Sequence, residues 1–169
     1  MTYVVTFDLW DTIIHDDSDE AKRRKQGLRT KREARKYLLW EALNRQQRIS
    51  RDTVWLACDT ADAAFNRVWR QQSVTWTVRD RLSVVLDGLG LALPEDVFAL
   101  VIRDYEEMEI KIPPDIIEGA ADAVRDLAKD FRLAVVSDAI VSPGRCLRQW
   151  LDLHKILHCF QSFAFQVLD

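Results

Sequence analysis

At 169 residues the chain has room for one ordinary domain, or for a small core carrying an insertion. Hydrophobic residues make up 48% and charged residues 30%, a balance that excludes disorder and calls for a packed core. A net charge of -3 argues against general nucleic-acid affinity.

The charge is uneven: nine Lys or Arg between Lys22 and Lys36 stand against the single acid Glu33. Such a run reads as a solvated helix face, since it lacks the aromatic interleaving of single-strand binders. Cys58, Cys146 and Cys159 are far apart and form no CxxC pair, so buried thiols are expected rather than a disulfide framework. No leader pattern opens the chain and no apolar run approaches membrane-spanning length, which sets the expectation of a soluble cytoplasmic protein.

In chain order, Tyr3 to Phe7 is an apolar, β-branched and aromatic run, the pattern of a buried parallel strand. Asp17, with Glu20 three residues on, predicts a capping-box start to a helical stretch reaching about Arg48. Ser50 predicts the cap of a next helix, along which Trp55, Cys58, Phe65, Val68 and Trp69 recur at helical spacing. A further helix fits Val78 to Leu86, ending near Gly88 and Gly90, and Pro94 suits the first turn of another. Pro113-Pro114 is the clearest boundary. Beyond it the pattern predicts a helix over Ile116 to Lys129, a strand over Phe131 to Ser137, a helix from Ser142-Pro143-Gly144, and a strand over Ser162 to Val167.

The order strand, helices, strand, helix, strand predicts an α/β fold: a partial, Rossmann-like parallel sheet with an all-helical insertion after its first strand. Residues 1-17 and 113-169 form the core in this reading, and residues 18-112 the helical cap. Ligands of open α/β sheets bind outside the carboxyl ends of the strands. Asp8, Asp11-Thr12 and Ser137-Asp138 fall at such ends, and parallel neighbours would bring Asp8 and Ser137 together. A carboxylate nucleophile beside a hydroxyl donor can attack a phosphoryl group and hold one of its oxygens. His154 and His158, four apart, have the spacing of a metal pair on a helix, but no third ligand is in view. His15 lies in the loop after the first strand.

At these residues the chain resembles the haloacid dehalogenase (HAD) superfamily. Phe7-Asp8-Leu9-Trp10-Asp11-Thr12 is similar to its first motif, Asp-x-Asp-x-Thr after an apolar strand, at Asp8 and Thr12. Leu133-Ala-Val-Val-Ser137 is similar to its second motif, and Pro114 to Leu127 to the segment returning from a helical cap. The resemblance implies a hydrolase of phosphate esters in which Asp8 attacks, Ser137 holds a phosphoryl oxygen and Thr12 orients the loop. It places Trp10 and Asp138 at the substrate. It also implies Mg2+, bound by the Asp8 carboxylate, the backbone carbonyl of Trp10 and a later acid.

Two departures follow. Where family phosphatases carry an acid, this chain has Trp10, whose indole exchanges no proton at neutral pH. Asp11 is one position late, and an extended segment would point it to the opposite side. The sequence ends at Asp169, before the family's third-motif Lys and fourth-motif acids, so the expectation is a truncated chain with impaired or absent activity. Its first strand would then be an apolar edge prone to self-association. Family dehalogenases also lack the acid, so a metal-independent hydrolase of small halogenated acids is the alternative; a non-catalytic remnant or binding module is a third. No membrane partner is expected.

Overall fold

The computed structural model describes Tyr3 to Phe165. The chain divides into two compact units, one comprising the described residues up to Leu28 together with those from Glu109 onward, the other Arg29–Met108.

The first unit is built on a three-stranded parallel sheet of order β1 (Val4–Phe7), β2 (Arg132–Ser137), β3 (Phe160–Phe165). The β-branched and aromatic runs become strands as their composition requires. After the short helix α6 (Met108–Lys111), helices α7 (Ala120–Asp130) and α8 (Gly144–Leu153) make the crossovers. Leu133 and Val135 of β2, Val124 of α7, and Leu147, Trp150 and Leu151 of α8 share one core, with Val5, Phe7 and Phe163 packed against it. Each such fully buried aliphatic side chain contributes about 1.5–3 kcal/mol. The alternating residues of the other sheet face are less covered, Val4 and Val136 being 59% and 53% exposed.

In the second unit, α2 (Lys31–Gln46), α3 (Arg51–Gln72), α4 (Val78–Leu89) and α5 (Glu95–Glu106) pack around Leu39, Leu43, Val54, Phe65, Leu82, Val85 and Phe98. Ser50 caps α3 by accepting the Thr53 N–H, as its position predicts. Thr77 and Asp80 close a full capping box at α4. Thr77→Ala should lower the stability of this unit by about 1 kcal/mol in denaturant unfolding. Thr77→Ser should retain it; equal loss in both variants would assign the effect to packing instead of the cap. Gly90, at φ 62°, ends α4 in the left-handed conformation that glycine adopts without strain.

Three elements differ from expectation. The first helical stretch is broken into α1 (Ser18–Lys25) and α2, because Gly27 takes φ 69° and Thr30 opens a new helix by accepting the Glu33 N–H. Asp17 forms no side-chain cap for α1, since its own backbone is left-handed at φ 56°. Helix α7 begins only at Ala120, because Ile116 is used in an antiparallel bridge to Ile14 and Gly119 turns at φ 78°. Strand β3 starts two residues earlier than expected, at Phe160, and the expected end at Val167 lies outside the described residues. No helix among the described residues is long and apolar enough to cross a membrane.

Candidate functional site at the strand ends

The register Phe7↔Val135 carries both strands to their carboxyl ends together, so the next polar residues of each meet. The Ser137 hydroxyl donates to Asp8 Oδ1 at 2.5 Å, and the Leu9 N–H donates to the same oxygen at 2.8 Å. Leu9 N–H also lies 3.3 Å from Ser137 Oγ. Ser137 is buried while Asp8 is exposed, so a fixed hydroxyl and backbone amide orient a carboxylate that solvent can reach. Its second oxygen accepts no hydrogen bond from the described residues, which leaves one lone-pair-bearing oxygen for attack.

The segment after Asp8 is a tight turn. The Leu9 carbonyl accepts from Ile13 and Ile14 N–H at 2.9 and 2.8 Å, and Asp11 N–H reaches the Ile14 carbonyl at 2.7 Å. Asp11 is therefore left-handed, at φ 50°, and not part of the extended segment that the sequence suggests. Its carboxylate accepts the Asp16 N–H at 3.1 Å, serving the turn itself. The Thr12 side chain is exposed, and its N–H lies 3.3 Å from the Leu9 carbonyl. His15 stands 4.0 Å from Asp11, both side chains largely in solvent.

Trp10 takes a role that the sequence does not show. Its indole N–H donates to the Asp138 carbonyl at 3.0 Å, joining the loop after β1 to the loop after β2. No spacing rule signals such a bridge between residues 128 apart in the chain. The N–H has no acceptor capacity, so the side chain at this position neither takes nor gives a proton. Asp138 itself is half-buried.

For magnesium, the described residues offer the Asp8 carboxylate and the Trp10 backbone carbonyl. Among them no group of three or more His, Cys, Asp or Glu side chains is placed to hold a metal. Magnesium keeps several waters in its six-oxygen shell and is commonly held by only one or two carboxylates, so these two oxygens would supply part of such a shell and water or substrate the rest. His154 and His158 are not a metal pair on one helix either. His154 caps the end of α8, and His158 lies in the 3-10 turn Leu157–Cys159, which breaks the helical repeat between them.

Much of the basic run is engaged in contacts within the chain. Lys22 binds Asp115 at 2.6 Å, Lys36 and Arg32 share Asp59 at 2.8 and 2.5 Å, Arg29 lies 3.9 Å over the Tyr37 ring, and Arg35 lies 5.2 Å over the Tyr105 ring. The Lys36 ammonium, as hydrogen-bond donor, holds the Asp59 carboxyl below its usual range. The solvated reading holds for Arg24, Lys25, Arg29 and Arg32, which are exposed, and not for Arg23, Lys31 and Lys36, which are buried. All three cysteines are buried thiols outside any disulfide, and burial, reinforced by Asp62, pushes the Cys58 thiol up to about 12, where it is inert as a nucleophile.

No protein-family model matches the chain, and no curated protein matches it. Several solved structures are similar to it. YfnB from Bacillus subtilis, described as a HAD-hydrolase and bound to magnesium, is 19% identical over 97% of this chain and 63% of its own, with a TM-score of 0.42. A predicted phosphoglycolate phosphatase from Haemophilus somnus is 16% identical over 98% and 63%, with a TM-score of 0.48. L-2-haloacid dehalogenase from Xanthobacter autotrophicus, with chloropropionic acid covalently bound, is 17% identical over 98% and 57%, with a TM-score of 0.42. The chain spans about three fifths of the length of these structures.

Proposed function

We propose that this chain is a HAD-like hydrolase unit of the phosphate-ester type, with Asp8 as covalent nucleophile. The observation that supports it is the Asp8 carboxylate at the strand end, one oxygen held by Ser137 and Leu9 and the other left open. In the reaction the open oxygen attacks phosphorus, the ester P–O bond breaks, and the leaving oxygen takes its proton from solvent. Water then hydrolyses the aspartyl phosphate. The Ser137 hydroxyl and Leu9 amide hold Asp8 in place, which lowers the entropic part of the barrier. Trp10 supplies no proton at either step, so activity is impaired toward esters with basic leaving groups. The experiment is phosphate release from a panel of small esters by this chain and by Asp8→Asn, each with and without magnesium. Release that disappears in Asp8→Asn supports the reading; release unchanged by that substitution overturns it.

One observation favours a second reading, attack by Asp8 on the carbon of a small 2-halo acid. A halide leaves without a proton, so that first step does not need the acid that Trp10 fails to provide. Halide release that requires Asp8 and is indifferent to magnesium would select this reading.

We further propose that β1 pairs with β1 of a second copy. Among the described residues β1 is bonded only to β2, its stretch Tyr3 to Phe7 carries no charge, and Tyr3 and Val4 are 65% and 59% exposed. Unguarded edges of this kind add strands. The apparent mass should rise with concentration in sedimentation, and Val4→Lys should suppress the rise; a monomer at every concentration would refute it.

A further inference from the structure

The segment Pro113 to Ile117 forms a strap in the first unit, held by both α1 and α8. Lys22 of α1 donates to the Pro113 carbonyl at 2.6 Å and pairs with Asp115. Asp115 N–H reaches Ser18 Oγ at 2.7 Å, His15 N–H reaches the Asp115 carbonyl at 2.9 Å, and Ile117 N–H reaches the Ile13 carbonyl at 2.9 Å. From α8, the buried Trp150 indole donates to the carbonyl of buried Pro114 at 3.1 Å. The strap therefore braces residues 13 to 18, the stretch that directly follows the Asp8 turn.

His154 lies against this arrangement. Its ring centroid is 4.2 Å from that of Trp150, and its Nε2 is buried with no hydrogen-bond partner. The charges that bear on it are Lys22 from α1 and Asp115 from the strap, of opposite sign. Arg125 of α7, paired with Asp122, donates to the His154 carbonyl at 3.2 Å. Asp152 and Lys155 flank it along its own segment. A proton on Nε2 would create a buried N–H without an acceptor and a third cation beside Lys22 and Arg125.

We propose that His154 is a proton-operated latch for the strap. The neutral ring packs on Trp150 and keeps its indole on the Pro114 carbonyl, whereas the protonated ring leaves the packing and frees the strap from α8. This inference goes beyond the proposed hydrolysis and does not depend on it. The sign follows from linkage. Burial, and then Lys22, hold the folded His154 pKa below its ordinary value of 6.5, so the open state binds the extra proton. The closed strap is fully favoured above 6.5 and loses stability as the pH falls below that value.

The test is nuclear magnetic resonance on the full chain, following the His154 ring and the exchange protection of the Trp150 indole N–H, which holds the Pro114 carbonyl of the strap to α8, from neutral to acid pH. Protection, corrected for intrinsic exchange, should fall in step with His154 titration. The fall should reach about tenfold for each unit by which the His154 pKa is depressed. In His154→Phe it should be independent of pH, and His154→Gln gives the same comparison if the Phe variant does not fold. Titration of His154 at or above its ordinary value, or indole protection that follows the same pH course in wild type and variant, would overturn the latch.

Discussion

Asp8→Asn is expected to reduce phosphate release by at least about a thousandfold, because it removes the attacking group and not merely a contact. The carboxamide is nearly isosteric, and its oxygen can still accept from Ser137 and Leu9, the donors now at 2.5 and 2.8 Å. The fold should therefore persist, and unchanged unfolding behaviour would show that the loss is chemical. Ser137→Ala should cost much less, about tenfold to a hundredfold, since Asp8 keeps the Leu9 amide but loses its buried hydroxyl partner. The substrate panel adds a second expectation. With the Trp10 N–H already given to the Asp138 carbonyl, no acid at that position protonates the leaving oxygen. Aryl esters should thus be cleaved far faster than alkyl esters, measured as the dependence of rate on leaving-group basicity. Equal rates for both classes would mean that a protonated group is present which this geometry does not provide.

Legibility divides along physical lines. The strand runs Tyr3 to Phe7 and Leu133 to Ser137 announce themselves because buried parallel strands have little choice of composition, and their parallel pairing then brings Asp8 and Ser137 to one end of the sheet. Caps with local hydrogen bonds, Ser50 and Thr77, are legible for the same reason: their partners are three residues away. What the sequence hides is either a conformational choice at one residue or a contact made over a long loop. Gly27 is one of several glycines, and nothing local tells that its positive φ divides α1 from α2. Asp11 reads as extended until the Leu9 carbonyl is seen gathering the following amides into a turn. The Trp10 indole on Asp138 and the Trp150 indole on Pro114 join residues with no periodic relation, so aromatic composition foretells burial but not the acceptor. The basic run is only partly legible because a sequence lists charges without their partners: Asp59 and Asp115 lie far along the chain from the cations they bind.

Trp150→Ala should be the most damaging single substitution in the first unit, lowering its stability by about 3–5 kcal/mol. The side chain is 2% exposed and packs with Leu147, Leu151 and Val124 in the core beneath β2. Truncation leaves a cavity in that core and removes the donor to a buried carbonyl, two costs with different signatures. Trp150→Phe keeps most of the apolar volume and deletes the donor, so it should cost about 1–3 kcal/mol, chiefly from the Pro114 carbonyl left without its partner. Domains of this size are held by only about 5–15 kcal/mol, so the alanine variant stands near or beyond the limit of stable folding. Because the chain comprises two compact units, a single melting curve does not isolate the effect. Exchange of the Val135 and Ser137 amides reports the first unit, while Leu82 and Val85 report the helical one. Loss of protection at the former in Trp150→Ala, graded in Trp150→Phe, is the expected order. Equal and small losses in both variants would mean that neither the packing nor the bond to Pro114 holds α8 to the sheet.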